Sequence, residues 1–299
     1  MSGTAVAVQG AGRAVAAGRQ AETDAQVYGM WLHGKAATTQ RAYGREAAVF
    51  AAFVGGAPLP TVTLGDVQAY SDHLAAAGLA PASQARALAA LKSLLSFAHR
   101  IGYTPVNVGA AEKLPTLRLM LAERIIDEDT VRRLIVAEPT PRSRALLRVL
   151  YYGGLRVSEA VGLRWRDVQA RKAGVVQVTV FGKGGQTRAV PLPPHVAEGL
   201  TALRGDADAD APVFVGRRGG ALTAGQAWRI VKAAGARVGV PALSPHWLRH
   251  ACASHALDNG GERILATVQA TLGHASLATT GRYLHARPGD SAGMYLPVV

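Results

Sequence analysis

Apolar residues in the first third of the chain recur every three or four positions, which is the spacing of one face of an α-helix. The pattern is clearest between Ser83 and Gly102, where the apolar stripe consists of Leu88, Leu91, Leu95 and Ala98. Earlier segments repeat it, with Thr39 as a candidate N-cap of one helix and Thr63 at the start of another. We therefore predict four short helices between about Glu22 and Gly109, packed as a small bundle.

A stretch without periodicity separates this region from the rest of the chain. Residues 112–123 include Pro115 and show no clear period, so we predict an interdomain linker there. Helical spacing resumes at Asp127 and continues to Leu150. The resulting domain map has a disordered tail, a helical domain, the linker and a second domain, at residues 1–20, 21–111, 112–123 and 124–299.

Alternation of side chains marks one place in the second domain as β-structure. Val176, Val178 and Val180 occupy every second position of one predicted strand. Residues 182–185 form a glycine-rich turn, and residues 187–192 form the second strand. This pattern predicts a β-hairpin with a lysine at its tip. Beyond it the chain is again mostly helical, so the predicted fold class is mainly α with one small β-sheet or hairpin.

Positive charge is concentrated in the second domain. The chain of 299 residues has a formal net charge of +13, and residues 114–299 hold 24 Lys and Arg against 14 Asp and Glu. A basic half of this kind is typical of proteins that bind a polyanion such as nucleic acid. An arginine-rich proteome would produce the same excess, so composition alone leaves the two interpretations equal.

Other features of the composition indicate a cytoplasmic protein without membrane contact. The single cysteine, Cys252, excludes an internal disulfide framework and a cysteine-cluster zinc site, and it fits a reducing cytoplasm. No apolar run approaches the ~18 residues that indicate a transmembrane helix. The first residues are interrupted by Gln9, Arg13 and Arg19 and lack a signal peptide's compact apolar core and cleavage site, which favours a disordered tail.

Arginine, histidine and tyrosine residues in separate segments of the second domain have the chemistry needed to cut a phosphodiester through a covalent tyrosine. An arginine guanidinium offers a planar fork for phosphate oxygens. A histidine moves protons near neutral pH, and a tyrosine can be the nucleophile of a covalent intermediate. The candidates lie in three segments: Gly153–Glu159, His246–His250 and Leu272–Tyr283.

The second of these segments begins with a helix-start signature. Ser244-Pro245 supplies an N-cap and a first helical position. His246 and Arg249 are three residues apart on one helix face, so both can address one phosphate. His250 lies four residues from His246, which leaves a zinc-binding pair as the alternative, although no third ligand is evident. His250 and His255 are otherwise interpreted as structural histidines.

Together these segments resemble the tyrosine recombinase (integrase) family, and most closely its bacterial Xer-like members. The resemblance rests on Gly153–Glu159, on the lysine hairpin Gly182–Leu192, and on a histidine nine residues before a tyrosine in Leu272–Tyr283. It implies an N-terminal core-binding, SAM-like helical domain and a C-terminal α+β catalytic domain that form a C-shaped clamp on DNA. The catalytic set that it implies is Arg156, Lys183, His246, Arg249, His274 and Tyr283.

The resemblance also implies a reaction, site-specific DNA strand exchange. In this reaction Tyr283 forms a 3′-phosphotyrosyl link, Lys183 protonates the leaving 5′-oxygen, the two arginines bind nonbridging oxygens, and the two histidines assist proton transfer. The implied partner is double-stranded DNA, bound by a homotetramer on two synapsed sites, with no cofactor and no metal. The need for a partner recombinase or an accessory protein stays open.

Two alternatives share parts of this pattern. A type IB topoisomerase uses the same chemistry to relax supercoils without a partner site, but the chain length and the Xer-like motifs argue against it. A non-catalytic DNA-binding accessory protein of the same fold has no need to keep a nucleophile. The complete set of six residues therefore argues against the accessory protein.

Overall fold

The computed structural model describes residues 20–116, 125–182 and 187–273 of the chain. The chain divides into two compact units, the first ending at Arg118 and the second beginning at Leu119. Most of the predicted disordered tail, the second half of the predicted linker and the tip of the predicted hairpin lie outside the described residues. Among the helices that are described, none combines the length and apolar character needed to cross a membrane.

Four helices form the first unit, as the apolar spacing predicts. They are α1 (Asp24–Leu32), α2 (Ala37–Phe53), α3 (Leu64–Ala76) and α4 (Pro81–Arg100). Helix α4 contacts each of the other three. Its predicted apolar stripe is buried, which confirms the prediction that one face of this helix builds the core: Leu88, Leu91, Leu95 and Ala98.

The starts of these helices follow local hydrogen bonding. The Thr63 hydroxyl accepts from the backbone N–H of Asp66 and the Asp66 carboxylate accepts from that of Thr63, which confirms the predicted start of α3. The prediction of Thr39 as a cap is wrong, because α2 begins directly after Ala36 and Thr39 lies in its first turn. Helix α4 begins slightly earlier than predicted, at Pro81, because the fixed φ of proline suits a first helical position.

The second unit surrounds a separate core. Its described elements are α5 (Glu128–Val136), α6 (Pro141–Tyr152), α7 (Val157–Gly162), β1 (Val168–Ala170), β2 (Val176–Phe181), β3 (Thr187–Leu192), α8 (Pro194–Thr201), α9 (Ala224–Arg237), α10 (Pro245–Gly260) and α11 (Leu265–Leu272). The prediction of unbroken helical structure from Asp127 to Leu150 is wrong. Pro141 disfavours the helical conformation of the residue before it and supplies no N–H, so the chain forms two helices.

The three strands form one antiparallel sheet in the order β1-β2-β3. In the predicted hairpin, β2 pairs with β3 so that Val176 faces Leu192 and Val180 faces Arg188. The alternate valines of β2 are buried, which confirms the hairpin. Strand β1 was not predicted, because a strand of three residues is too short to show alternation. The fold is mainly helical with one small sheet, as expected.

Packing within the second unit brings distant segments to one place. Helix α6 contacts both α7 and α10, and α11 contacts both α10 and β3. As a result the turn between α6 and α7, the first turns of α10, the C-terminal end of α11 and strand β3 are neighbours. These elements carry or flank most of the residues that the sequence predicts to be catalytic.

Candidate active site

A glycine turn joins α6 to α7 and presents the predicted Arg156. Gly154 has a φ of +56°, a left-handed conformation that residues with a side chain rarely adopt. A Cβ atom at this position would lie 2.7 Å from Leu272 Cδ2 and 3.2 Å from Cys252 Sγ. The turn therefore packs directly against α11 and α10. Burial raises the pKa of the Cys252 thiol to about 11, against the opposing charge of Arg249, so the thiol is protonated at neutral pH.

Glu159 fixes the start of α7 and one edge of the Arg156 side chain. Its Oε2 accepts from the backbone N–H of Arg156 at 2.8 Å, and its Oε1 accepts from Arg156 Nη1 at 2.8 Å. The first bond satisfies an N–H that has no partner within the helix. The Glu159 side chain is 4% exposed, whereas that of Arg156 is 39% exposed. The guanidinium is thus anchored at one edge while the rest of it reaches solvent.

Arg188 of β3 binds the same carboxylate from another direction. Its Nη1 and Nη2 donate to Glu159 Oε1 and Oε2 at 3.0 and 2.8 Å, a bidentate pairing. Its Nε donates to the carbonyl oxygen of Thr271 at 2.8 Å. Burial alone would raise the pKa of Glu159, but the hydrogen bonds from Arg188 and Arg156 outweigh burial and lower it to about 2. Glu159 is therefore fully ionised at neutral pH.

Helix α10 supplies the second predicted arginine. Ser244 has the extended N-cap conformation and Pro245 is the first helical residue, as predicted, although the Ser244 hydroxyl makes no capping hydrogen bond. Arg249 is buried, and its two terminal nitrogens donate to the carbonyl oxygens of Gly154 and Leu272. These two bonds hold the guanidinium of Arg249 against the turn that carries Arg156 and against the end of α11.

His246 lies in the first turn of α10, three residues before Arg249. Burial lowers the pKa of its imidazole, and the positive charges of Arg249 and Arg156 lower it further. His246 precedes Arg249 by about one helical turn in α10, and Arg249 donates to the Gly154 carbonyl, two residues before Arg156. The structure therefore brings together three of the predicted residues, and the lowered pKa keeps His246 neutral at pH 7, in the form that can accept a proton.

Arg156→Gln is expected to raise the pKa of His246 toward its ordinary value, because the substitution removes one of two positive charges that disfavour the imidazolium. NMR titration of the imidazole protons measures this shift, with the His246 signal assigned by its loss in His246→Gln. Arg166→Gln is a matched control, because Arg166 pairs with Asp210 in an exposed loop. An unchanged His246 pKa in Arg156→Gln would contradict the proximity of these two side chains.

The neighbouring histidines have different surroundings. The ring centroids of His246 and His250 are 6.3 Å apart. Within the described ranges of the chain, no three His, Cys, Asp or Glu side chains are grouped as metal ligands. His255 is buried and shares a hydrogen bond of 2.9 Å with the Tyr151 hydroxyl, in agreement with the structural role predicted for it.

Three predicted residues, Lys183, His274 and Tyr283, lie outside the described residues. The elements next to two of them are described. Strands β2 and β3 flank Lys183, and α11 ends at Leu272 with Gly273 in a left-handed conformation just before His274. The site as described thus contains the two arginines and one histidine of the predicted set.

Two residues of this site were missed by the sequence analysis, Glu159 and Arg188. A signal for each was present. Arg188 occupies the same alternating positions as Val190 and Leu192, on the buried face of the hairpin, where a charged side chain requires a buried partner. Glu159 stands three residues after Arg156, the position from which a carboxylate reaches back to the start of a helix.

Comparisons with known families and proteins agree with one another. The phage integrase family matches residues 124–289, and the N-terminal SAM-like domain of phage integrases matches residues 30–102. Tyrosine recombinase XerC of Rhodospirillum centenum is 36% identical over 279 residues, which cover 86% of this chain and 80% of that protein. Tyrosine recombinase XerD of Mycobacterium tuberculosis is 36% identical over 224 residues, which cover 69% and 70%.

Solved structures share the fold. A lambda integrase dimer bound to a COC′ core site superposes with a TM-score of 0.71 at 18% identity, covering 90% of this chain and 80% of that one. The XerH site-specific recombinase bound to its difH substrate superposes with a TM-score of 0.62 at 21% identity, covering 79% and 70%. At these identities the likeness concerns the fold alone.

Proposed function

The chain belongs to the phage integrase family as a tyrosine-type site-specific recombinase, and from this we propose that it cuts and rejoins double-stranded DNA through a covalent 3′-phosphotyrosyl intermediate. We assign Tyr283 as the nucleophile. Arg156, Lys183, His246, Arg249 and His274 complete the proposed catalytic set.

The observation that carries this proposal is the placement of Arg249 against the turn that presents Arg156, where Arg249 Nη1 donates to the carbonyl oxygen of Gly154. Arg156 and Arg188 both pair with the carboxylate of Glu159, so these three groups together carry one net positive charge. The surplus positive charge suits a phosphate whose nonbridging oxygens gain negative charge as a fifth ligand approaches phosphorus. Because the two catalytic guanidinium groups are held by backbone and carboxylate bonds before DNA arrives, little reorganisation is needed during the reaction.

The proposed step is a displacement at phosphorus. The Tyr283 oxygen attacks, the bond from phosphorus to the 5′-oxygen breaks, and that oxygen takes a proton from Lys183. His246, neutral at pH 7, accepts the phenol proton, with His274 assisting. In the second half of the reaction a 5′-hydroxyl attacks the phosphotyrosyl link and the phenol leaves. One phosphoester replaces another in each half, so no external energy source is required.

The proposed assembly is a homotetramer on two synapsed DNA sites. Two duplexes contain four strands to cut, and each chain supplies one Tyr283, so complete exchange needs four copies. The excess of Lys and Arg in residues 114–299 would compensate the phosphates of the bound duplexes.

Covalent trapping tests the proposed function. The full-length protein is incubated in excess EDTA with fragmented DNA of its source organism, denatured, and the protein-linked DNA is sequenced. We expect a covalent adduct at one class of site, because Arg156, Arg249 and Lys183 supply the positive charge that a divalent ion supplies in other enzymes. Two fragments that carry the recovered site should then yield recombinant joints, and mass photometry of the paired complex should give four copies.

Each alternative has its own outcome in this experiment. Relaxation of supercoiled plasmids that lack the recovered site, without recombinant joints, would identify a topoisomerase. Site-specific binding without any adduct would identify an accessory protein. If EDTA stops cutting while binding persists, a metal held by His246 and His250 replaces the arginines as the source of positive charge.

A further inference from the structure

Arg188 occupies a position where the fold otherwise places apolar side chains. It pairs with Val180 across the hairpin, so it shares a face with Val190 and Leu192, both of which are completely buried. Its own side chain is 13% exposed. A buried guanidinium costs free energy unless every part of it is paired, so its retention at this position calls for an explanation beyond packing.

The partners of Arg188 lie in two other segments of the site. Its terminal nitrogens hold both oxygens of Glu159 at the start of α7, and its Nε holds the Thr271 carbonyl at the end of α11. A Cβ atom on Gly273 would lie 3.2 Å from Arg188 Nη1, so the backbone at the end of α11 packs directly against the guanidinium. One side chain therefore joins the lysine hairpin, the Arg156 turn and the segment that leads to His274.

The charge of Arg188 affects how strongly Glu159 attracts the guanidinium of Arg156. Both arginines share the buried carboxylate of Glu159, through contacts of 2.8 to 3.0 Å. Without Arg188, Arg156 would be the principal counter-ion of that carboxylate and would be drawn toward it. With Arg188 present, the three groups carry a net charge of one positive unit, and the exposed part of Arg156 stays available to an anion.

We propose that Arg188 is a positioning residue for DNA cutting: it satisfies Glu159 so that the guanidinium of Arg156 keeps its place and its charge for the scissile phosphate. The inference rests on the proposed function, because it assumes that Arg156 acts on that phosphate. In this proposal Arg188, whose described partners are Glu159 and Thr271, acts on the phosphate only through Glu159.

The test compares two substrates that differ in charge at the scissile position. One carries the natural phosphate, and the other carries a methylphosphonate, in which a neutral methyl group replaces one charged oxygen. A neutral centre has less need of Arg156, so a defect transmitted through Arg156 should shrink on the methylphosphonate. Covalent adduct formation is measured with the full-length wild-type protein, Arg188→Met and Arg156→Ala.

We expect Arg188→Met to slow adduct formation on the phosphate by about 10²-fold, the usual consequence of misplacing a group that holds the reacting centre. On the methylphosphonate its defect should shrink in parallel with that of Arg156→Ala. Arg171→Met is the matched control, because the side-chain hydrogen bonds of Arg171 go to Gln169 and Gln177 beside the same sheet and to none of the described residues of the site. This control should match the wild type on both substrates.

Two further variants protect the test against loss of folding. Arg188→Lys keeps the charge but not the bidentate fork, so it should show the same substrate dependence with a smaller defect. The double variant Arg188→Met/Glu159→Gln removes the buried charge with its partner and should cut the phosphate faster than Arg188→Met alone. The proposal is overturned if the defects of Arg188→Met and Arg188→Lys are as large on the methylphosphonate as on the phosphate. It is also overturned if neither variant has a defect on either substrate. Absence of an adduct with the wild-type protein overturns the proposed function instead.

Discussion

Tyr283→Phe is expected to abolish the covalent protein–DNA adduct while leaving DNA binding intact. The substitution removes only the phenolic oxygen, so the bond to phosphorus cannot form, while the aromatic ring is retained. Denaturing gel electrophoresis with labelled DNA measures the adduct, and a mobility shift under native conditions measures binding. The two measurements separate loss of the nucleophile from loss of folding, because a misfolded protein fails in both.

Tyr295→Phe is the control for this experiment, since Tyr295 is another tyrosine in the same part of the sequence. It should form the adduct at the wild-type rate. A normal yield of adduct from Tyr283→Phe would contradict the assignment and would make Tyr295 the next candidate. Tyr151 and Tyr152 lack the sequence context of Tyr283, and burial raises the pKa of the Tyr151 hydroxyl well above its usual range.

Lys183→Ala is expected to slow DNA cutting by about 10²–10⁴-fold, the usual contribution of a general acid. The leaving 5′-oxygen needs a proton as its bond to phosphorus breaks, because an alkoxide is a poor leaving group. A thiolate leaves without a proton. Replacing the bridging 5′-oxygen with sulfur should therefore restore much of the cutting rate of Lys183→Ala, measured as covalent adduct over time.

Arg156→Ala is the matched control for this rescue. Its defect lies in the charge around the phosphate, which sulfur at the bridging position leaves in place, so it should recover less. Failure of sulfur to rescue Lys183→Ala would show that the lysine only contacts DNA. The proton would then come from another group, and His246 would be the first to test.

Periodicity predicted the helices and the hairpin because each of them buries one face. The stripe of α4 and the alternate valines of β2 are of this kind, and both are buried. The division between α5 and α6 was missed, although Pro141 marks it, because the apolar spacing on its two sides is similar. Strand β1 is defined by its pairing with β2 rather than by its own sequence, so only the assembled sheet reveals it.

The arginines and His246 could be predicted from local motifs, but the groups that hold them could not. Arg188 is 29 residues from Glu159 and 83 residues from Thr271. Contacts over such distances depend on how the strands and helices pack, and no short pattern in the sequence reports them. Lys183, His274 and Tyr283 remain predictions from sequence, because they lie outside the described residues.

These long separations also bear on the order of events during synthesis. Arg249 binds the carbonyl of Gly154, which lies 95 residues earlier in the chain. Arg188 binds the carbonyl of Thr271, which lies 83 residues later. Because translation proceeds from the N-terminus, Arg156 and Glu159 are synthesised long before Arg249 and Thr271. A polypeptide that terminates before residue 271 would lack the Thr271 carbonyl that binds Arg188 and the Leu272 carbonyl that binds Arg249, although it would contain Gly154. Arg188 and Arg249 therefore gain their full set of hydrogen bonds only after α11 has been synthesised.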